Sequence, residues 1–150
     1  DFVKTVTATG LPFFENFYGG GARSVRGFRD NTLGPREAAL NSTFLQPIGG
    51  SLKTVGSAEM FFPSLIKSPA ARVSAFVDVG NVFNGIDGFE SSELRASAGV
   101  ALMWRAPVGP ISISYAFPIR TQDALYGDDG ALLREGDELE RLQFTFGGAF

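Results

Sequence analysis

A period-two alternation sustained over five segments constrains this chain more than any other feature, because residues i, i+2 and i+4 share a face only in an extended strand. In residues 71–83, Ala71, Val73, Ala75, Val77 and Val79 oppose Arg72, Ser74, Phe76, Asp78 and Gly80. In 93–105, Leu94, Ala96, Ala98, Val100, Leu102 and Trp104 oppose Arg95, Ser97, Gly99, Ala101, Met103 and Arg105. Segment 109–117 sets Ile111, Ile113, Tyr115 and Phe117 against Ser112, Ser114 and Ala116, and 140–150 sets Leu142, Phe144, Phe146, Gly148 and Phe150 against Gln143, Thr145, Gly147 and Ala149. Segment 50–62 alternates more weakly, and 2–9 reads as the end of a further strand. Fifteen Phe and 19 Gly among only 19% charged residues favour strands and tight turns over helices.

The connections alternate in length. Residues 63–70 and 106–108 are short, 84–92 is moderate with Asn84-Gly85 and Asp87-Gly88 as turn signals, and 118–139 and 10–48 are long. Strands of about ten residues with short turns at one end and long loops at the other are the organisation of an outer-membrane barrel. A soluble β-sandwich would carry a charged, solvated second face. Here that face is mostly Ser, Thr, Gly and Ala, which suits a lumen partly filled by something else. Trp104, Tyr115, Phe117 and Phe150 are read as aromatic girdle residues near strand ends. The fold expected is therefore all-β, an antiparallel up-and-down meander belonging to a transmembrane barrel, with a soluble β-sandwich binding module as the alternative. The chain has no Cys and no His, which removes disulfides, thiolate metal sites and His-based nucleophile pairs. A net charge of −3 and a pI near 4.9 leave no electrostatic footprint for nucleic acid. No signal peptide and no apolar run long enough for a membrane helix is read in it.

The stretch "LPFFENFYGGGARSVRGFRDNTLGP" (11–35), with "VRGF" at 25–28, resembles the long sixth loop of the BamA family of outer-membrane assembly barrels. "FVDVGNVFN" (76–84), "SAGVALMWRAPVGPISISYAFPI" (97–119) and the terminal "RLQFTFGGAF" (141–150) are similar to that family's last strands, in order. The resemblance implies a C-terminal fragment of a sixteen-stranded barrel: the end of one strand (1–9), a long extracellular loop (10–48) and the last five strands (49–150). It implies residence in the bacterial outer membrane and insertion of β-barrel proteins there, without bond chemistry and without a cofactor. The partners implied are the lipid bilayer, unfolded outer-membrane proteins as clients and accessory lipoproteins of an assembly complex. A secretion translocator of the same superfamily is the alternative within this class.

The resemblance also implies that the loop folds back into the lumen, which sets a charge problem for Arg26. An unpaired buried guanidinium costs several kcal/mol, and the inward faces of the strands hold two carboxylates, Glu59 and Asp78, with Phe76 beside the latter. Their strands are joined by the short 63–70 turn and so pair antiparallel, which predicts Arg26 forking between both carboxylates as Lys could not. Val25, Arg26, Gly27 and Phe28 are the functional loop motif, Gly27 for a tight turn and Phe28 for packing on the wall. Inward-facing Gly99, Ala101, Ser112, Ser114, Ala116, Gly147 and Ala149 leave room for the loop. Glu59 and Asp78 as a glycosidase pair would need aromatic platforms that the polar face lacks. The acidic run Asp128, Asp129, Glu135, Asp137, Glu138 and Glu140 lacks the spacing of a calcium loop and is read as a solvated extracellular loop. Phe144, Phe146, Gly147, Gly148 and Phe150 mark the terminal strand at the barrel seam, where the glycines either bend the strand or merely avoid crowding.

Overall fold

A computed structural model describes residues 16–38, 44–63 and 65–147. The expected strand end at 1–9 lies outside them, as do Gly148, Ala149 and Phe150. The core of the molecule is one five-stranded antiparallel sheet built from β4 (Leu52–Phe62), β5 (Ala71–Phe83), β6 (Arg95–Ala106), β7 (Gly109–Arg120) and β11 (Leu142–Phe146). Its strand order, β4-β5-β6-β7-β11, is a meander in chain order. The β6–β7 turn is as tight as a hairpin allows, with Ala106 paired to Gly109 across Pro107-Val108.

Among the described residues six short strands lie outside this sheet: β1 (Gly27–Phe28), β2 (Arg36–Ala38), β3 (Leu45–Pro47), β8 (Leu125–Tyr126), β9 (Leu132–Arg134) and β10 (Leu139–Glu140). β2 pairs with β3, β8 with β9, and β1 with β10. β4 and β6 are shifted by one or two residues from the sequence expectation, and three boundaries differ more. β7 runs on to Arg120, three residues past Phe117, with an irregularity in its pairing between Ala96 and Ser97 of β6. The stretch expected as one strand from 140 is divided, because Leu139–Glu140 pairs with the loop strand β1 before β11 begins at Leu142. β11 ends at Phe146 because Gly147 takes φ +72°, a left-handed bend. A Cβ at Gly147 would meet nothing within 4 Å. This glycine therefore answers a backbone requirement and not crowding.

The alternation sorts the sheet into two unlike faces. One carries rows of register partners: Ala71–Trp104–Ile111–Phe146, Val73–Leu102–Ile113–Phe144, Ala75–Val100–Tyr115–Leu142, Val77–Ala98–Phe117 and Val79–Ala96. Many of these side chains are exposed, including Val77, Val100, Trp104, Phe117, Leu142, Phe144 and Phe146. Five rows two residues apart span about 27 Å along the strands, or about 21 Å along a membrane normal at a typical tilt, close to the apolar band of an outer-membrane barrel. Tyr115 falls on the central row, opposite Val100, not in a girdle at a strand end. It stacks edge-on against Phe117 instead, ring centroids 5.0 Å apart.

The other face is covered by the chain's own loop. Val25, Phe28 and Leu33 of the loop form one buried apolar cluster, and Phe76, Ala101 and Ala116 of the wall form another. A β-sandwich would cover this apolar interior with a second sheet. Among the described residues a loop takes that place, while the outer face stays open and apolar, so the sandwich alternative does not describe this molecule.

Candidate functional site

The loop enters its fold through short-range bonds. Leu33 N donates to Gly19 O (3.1 Å), Gly21 N to Phe28 O (2.9 Å) and Ser24 N to Gly21 O (3.0 Å), closing an arch whose apolar interior is Val25, Phe28 and Leu33. Gly27 sits at φ +91°, and a Cβ there would stand 2.9 Å from the Cβ of Ala116. Only glycine combines that backbone with so close an approach to β7. Gly27→Ala carries about 1–2 kcal/mol of left-handed strain besides the contact with Ala116. The undocked loop should become roughly tenfold more populated, read as faster trypsin cleavage at exposed Arg23 and Arg29 of the folded barrel. Unchanged cleavage would show that the loop does not depend on this approach.

The arch presents Arg26 to the wall. Asp78 Oδ2 accepts from Arg26 Nε (2.7 Å) and from the Arg26 backbone N (3.1 Å), while Oδ1 accepts from Arg26 Nη2 (2.9 Å) and from Ser57 Oγ (2.5 Å). Four donors saturate a carboxylate whose side chain is 1% exposed. Glu59 is a looser partner: its Oε2 lies 3.4 Å from Arg26 Nη1, and its Oε1 accepts from Ser74 Oγ. The Arg26 Cζ stands 3.4 Å from the centroid of the Phe76 ring, a cation–π stack that also shields the ion pair from water.

Arg26, Glu59, Phe76 and Asp78 are thus brought together, with a different division of labour from the one read in the sequence. Both carboxylates pair with the guanidinium, but unequally: Nε and Nη2 form the bidentate fork on Asp78, and Nη1 alone reaches Glu59. Register is the reason, because Asp78 lies opposite Ser57 and Glu59 lies opposite Phe76. Glu59 is therefore a diagonal neighbour of Asp78, reached only by the remaining guanidinium nitrogen, Nη1, and at the longer distance. Burial works against the charged guanidinium of Arg26, but the hydrogen bonds and charges of Asp78 and Glu59 outweigh it and hold its pKa above the ordinary arginine value. The part of this stabilisation carried by the Arg26 charge persists up to that ordinary value as pH rises and fades only through the higher folded one. Moderate alkali leaves the loop docked.

The acidic loop is not simply solvated. Asp137 accepts from Arg95 Nε (2.6 Å) and from Gln122 N (2.6 Å), with both charged side chains buried. Glu135 pairs with Arg36 (2.6 Å) and Glu138 with Arg29 (2.9 Å). Three of the six acids read as solvated therefore tie 121–138 to the VRGF arch and to the base of β6. One sequence signal pointed this way: ten arginines against three lysines, a bias suited to fixed, forked pairs.

Gln143, on the inward face of β11 and 5% exposed, is a partner of the loop that no feature of the sequence signals. Its Oε1 accepts from Gly27 N (3.2 Å) and its Nε2 donates to Phe28 O (2.7 Å), both bonds buried. Phe144 and Phe146 point to the opposite, open face.

Set beside known proteins, residues 2–150 match the Omp85 superfamily domain. The outer membrane protein assembly factor BamA of Neisseria meningitidis serogroup B is 36% identical over 168 aligned residues, covering 93% of this chain and 19% of that protein. The BamA of Nitratidesulfovibrio vulgaris is 29% identical, over 93% of this chain and 16% of its own. A SAM50-like protein of Drosophila melanogaster is 29% identical over 80% of this chain and 26% of its own. A crystal structure of BamA from Haemophilus ducreyi lacking POTRA domains 1-3 superposes with a TM-score of 0.69 at 30% identity, covering 89% of this chain and 27% of that one. The chain thus spans about a fifth of the curated relatives it matches. With its antiparallel meander, its apolar outer face and its arginine-bearing loop seated on the inner one, the chain belongs to the Omp85 superfamily and is part of an outer-membrane β-barrel.

Proposed function

We propose that the chain is the C-terminal part of a barrel that assembles other β-barrel proteins into the bacterial outer membrane. Its clients are unfolded outer-membrane proteins, its solvent is the lipid bilayer, and its action is non-enzymatic: it offers strand edges and a prepared site in the membrane, and neither breaks nor forms covalent bonds. The observation that carries this reading is the terminal strand. Among the described residues β11 has five ladder pairs with β7, against eleven pairs each for β4–β5 and β6–β7. A short, weakly paired strand presents backbone groups that an incoming strand can satisfy. The VRGF loop, on this reading, is an extracellular loop turned into the lumen, and Val25, Arg26, Gly27 and Phe28 hold the wall beside that seam in shape. Accessory lipoproteins of the assembly complex belong to the same proposal.

The test uses the full-length protein in liposomes, mixed with a urea-unfolded eight-stranded outer-membrane protein. Heat-modifiable mobility on gels reads the folded fraction. Folding several-fold faster than in empty liposomes, with no nucleotide added and the client uncleaved, is the expected result. Equal rates with and without the protein would overturn the proposal.

A further inference from the structure

The loop does more than occupy the inner face. Its Arg26 end is bonded to β4 and β5 through Ser57, Glu59 and Asp78. One residue later, Gly27 lies over Ala116 of β7. Gly27 and Phe28 then reach the far side of the sheet, where they pair with Glu140 and Leu139 and bond both ends of the Gln143 amide. Arg29 N adds a bond to Glu138 O (2.9 Å). The VRGF segment is therefore a strap across the sheet, anchored on one side by a buried ion pair and on the other by the terminal strand and the residues leading into it.

Gln143 is the buried part of that second anchor. Its side chain acts as one more peptide group: an acceptor and a donor spaced to meet the N–H of Gly27 and the C=O of Phe28. The neighbours of Gln143 on this face include Ser114 and Thr145, too short to span the gap. If the strap lifts, Gln143 loses both buried partners at once, and β11 loses the side-chain bonds that hold it beneath the loop.

We propose that Gln143 is a positioning residue that couples docking of the VRGF loop to the placement of β11, and so governs how available the free edge of that strand is to an incoming one. The last clause rests on the assembly function proposed above; the coupling itself does not.

Hydrogen exchange on the full-length protein in detergent micelles tests it. Arg26→Ala and Gln143→Leu should each speed exchange of the amides in 142–146 at least several-fold, although the side-chain hydrogen bonds of Arg26 go only to β4 and β5. The double variant should exchange no faster than the faster single, because both changes release the same strap. Amides at the centre of β6 serve as the control for global unfolding and should keep wild-type rates. Arg26→Lys, which keeps the charge and loses the fork, is the milder second variant and should give intermediate exchange in 142–146. Wild-type exchange in 142–146 for both Arg26 variants, or single effects that multiply in the double variant, would overturn the coupling. Coupled exchange together with no acceleration of client folding in liposomes would uphold the strap and reject the assembly function.

Discussion

Replacing Arg26 with alanine should cost the barrel about 3–5 kcal/mol, the range for breaking a buried ion pair by removing one partner. An exposed pair would be worth about 1 kcal/mol at most, and burial decides between the two: the side chains of Arg26 and Asp78 are 11% and 1% exposed. Alanine strands the Asp78 carboxylate with one remaining side-chain donor, Ser57 Oγ, and removes the cation stacked on Phe76. Asp78→Asn should be nearly as damaging. Its amide nitrogen would face donors on whichever side it took, since both carboxylate oxygens accept two bonds each. Glu59→Gln should be mild, under about 1 kcal/mol, because that contact is long at 3.4 Å and Glu59 is the more exposed partner at 21%. A double-mutant cycle between Arg26 and Asp78, read by thermal unfolding of the full-length barrel in detergent, measures the coupling. A coupling energy near zero, or equal penalties at Asp78 and Glu59, would contradict the geometry.

The second large effect belongs to the opposite face. Val100 is 52% exposed and stands on the third of five outer rows, so Val100→Arg places a guanidinium near the middle of the hydrocarbon layer at about 2–4 kcal/mol. Ser112→Arg points the other way, into a cavity of about 610 Å³ that Ser57, Glu59 and Thr145 also line. It should cost about 1 kcal/mol or less, because the new side chain meets polar groups, with Glu59 among them. The fraction of full-length protein reaching the heat-modifiable form in bilayers separates the two. Equal losses at both positions would remove the lipid-facing assignment of the Val100 face.

Much of this molecule was legible without coordinates. The meander, the two faces and the inward placement of Asp78 and Phe76 follow from a period of two, which is a property of extended backbone and needs no partner to be read. The residues whose surroundings the sequence does not convey share a different character. Tyr115 was assigned to a strand end, but β7 extends to Arg120 and leaves it on the central row. Glu135, Asp137 and Glu138 read as solvated in the sequence because nothing in 121–138 announces that Arg29, Arg36 and Arg95 come within reach.

Sequence alone thus determined the five long strands to within a few residues, which side their side chains take, and that Arg26 needs a carboxylate. Tertiary structure alone decided which carboxylate receives the fork, through a two-residue offset in the β4–β5 register. It also decided that Gln143 grips a loop 116 residues away in the chain. Strand faces are settled by local geometry, one residue at a time. Register and docking are settled by the sum of many contacts between distant segments, each small and none of them written at a single position.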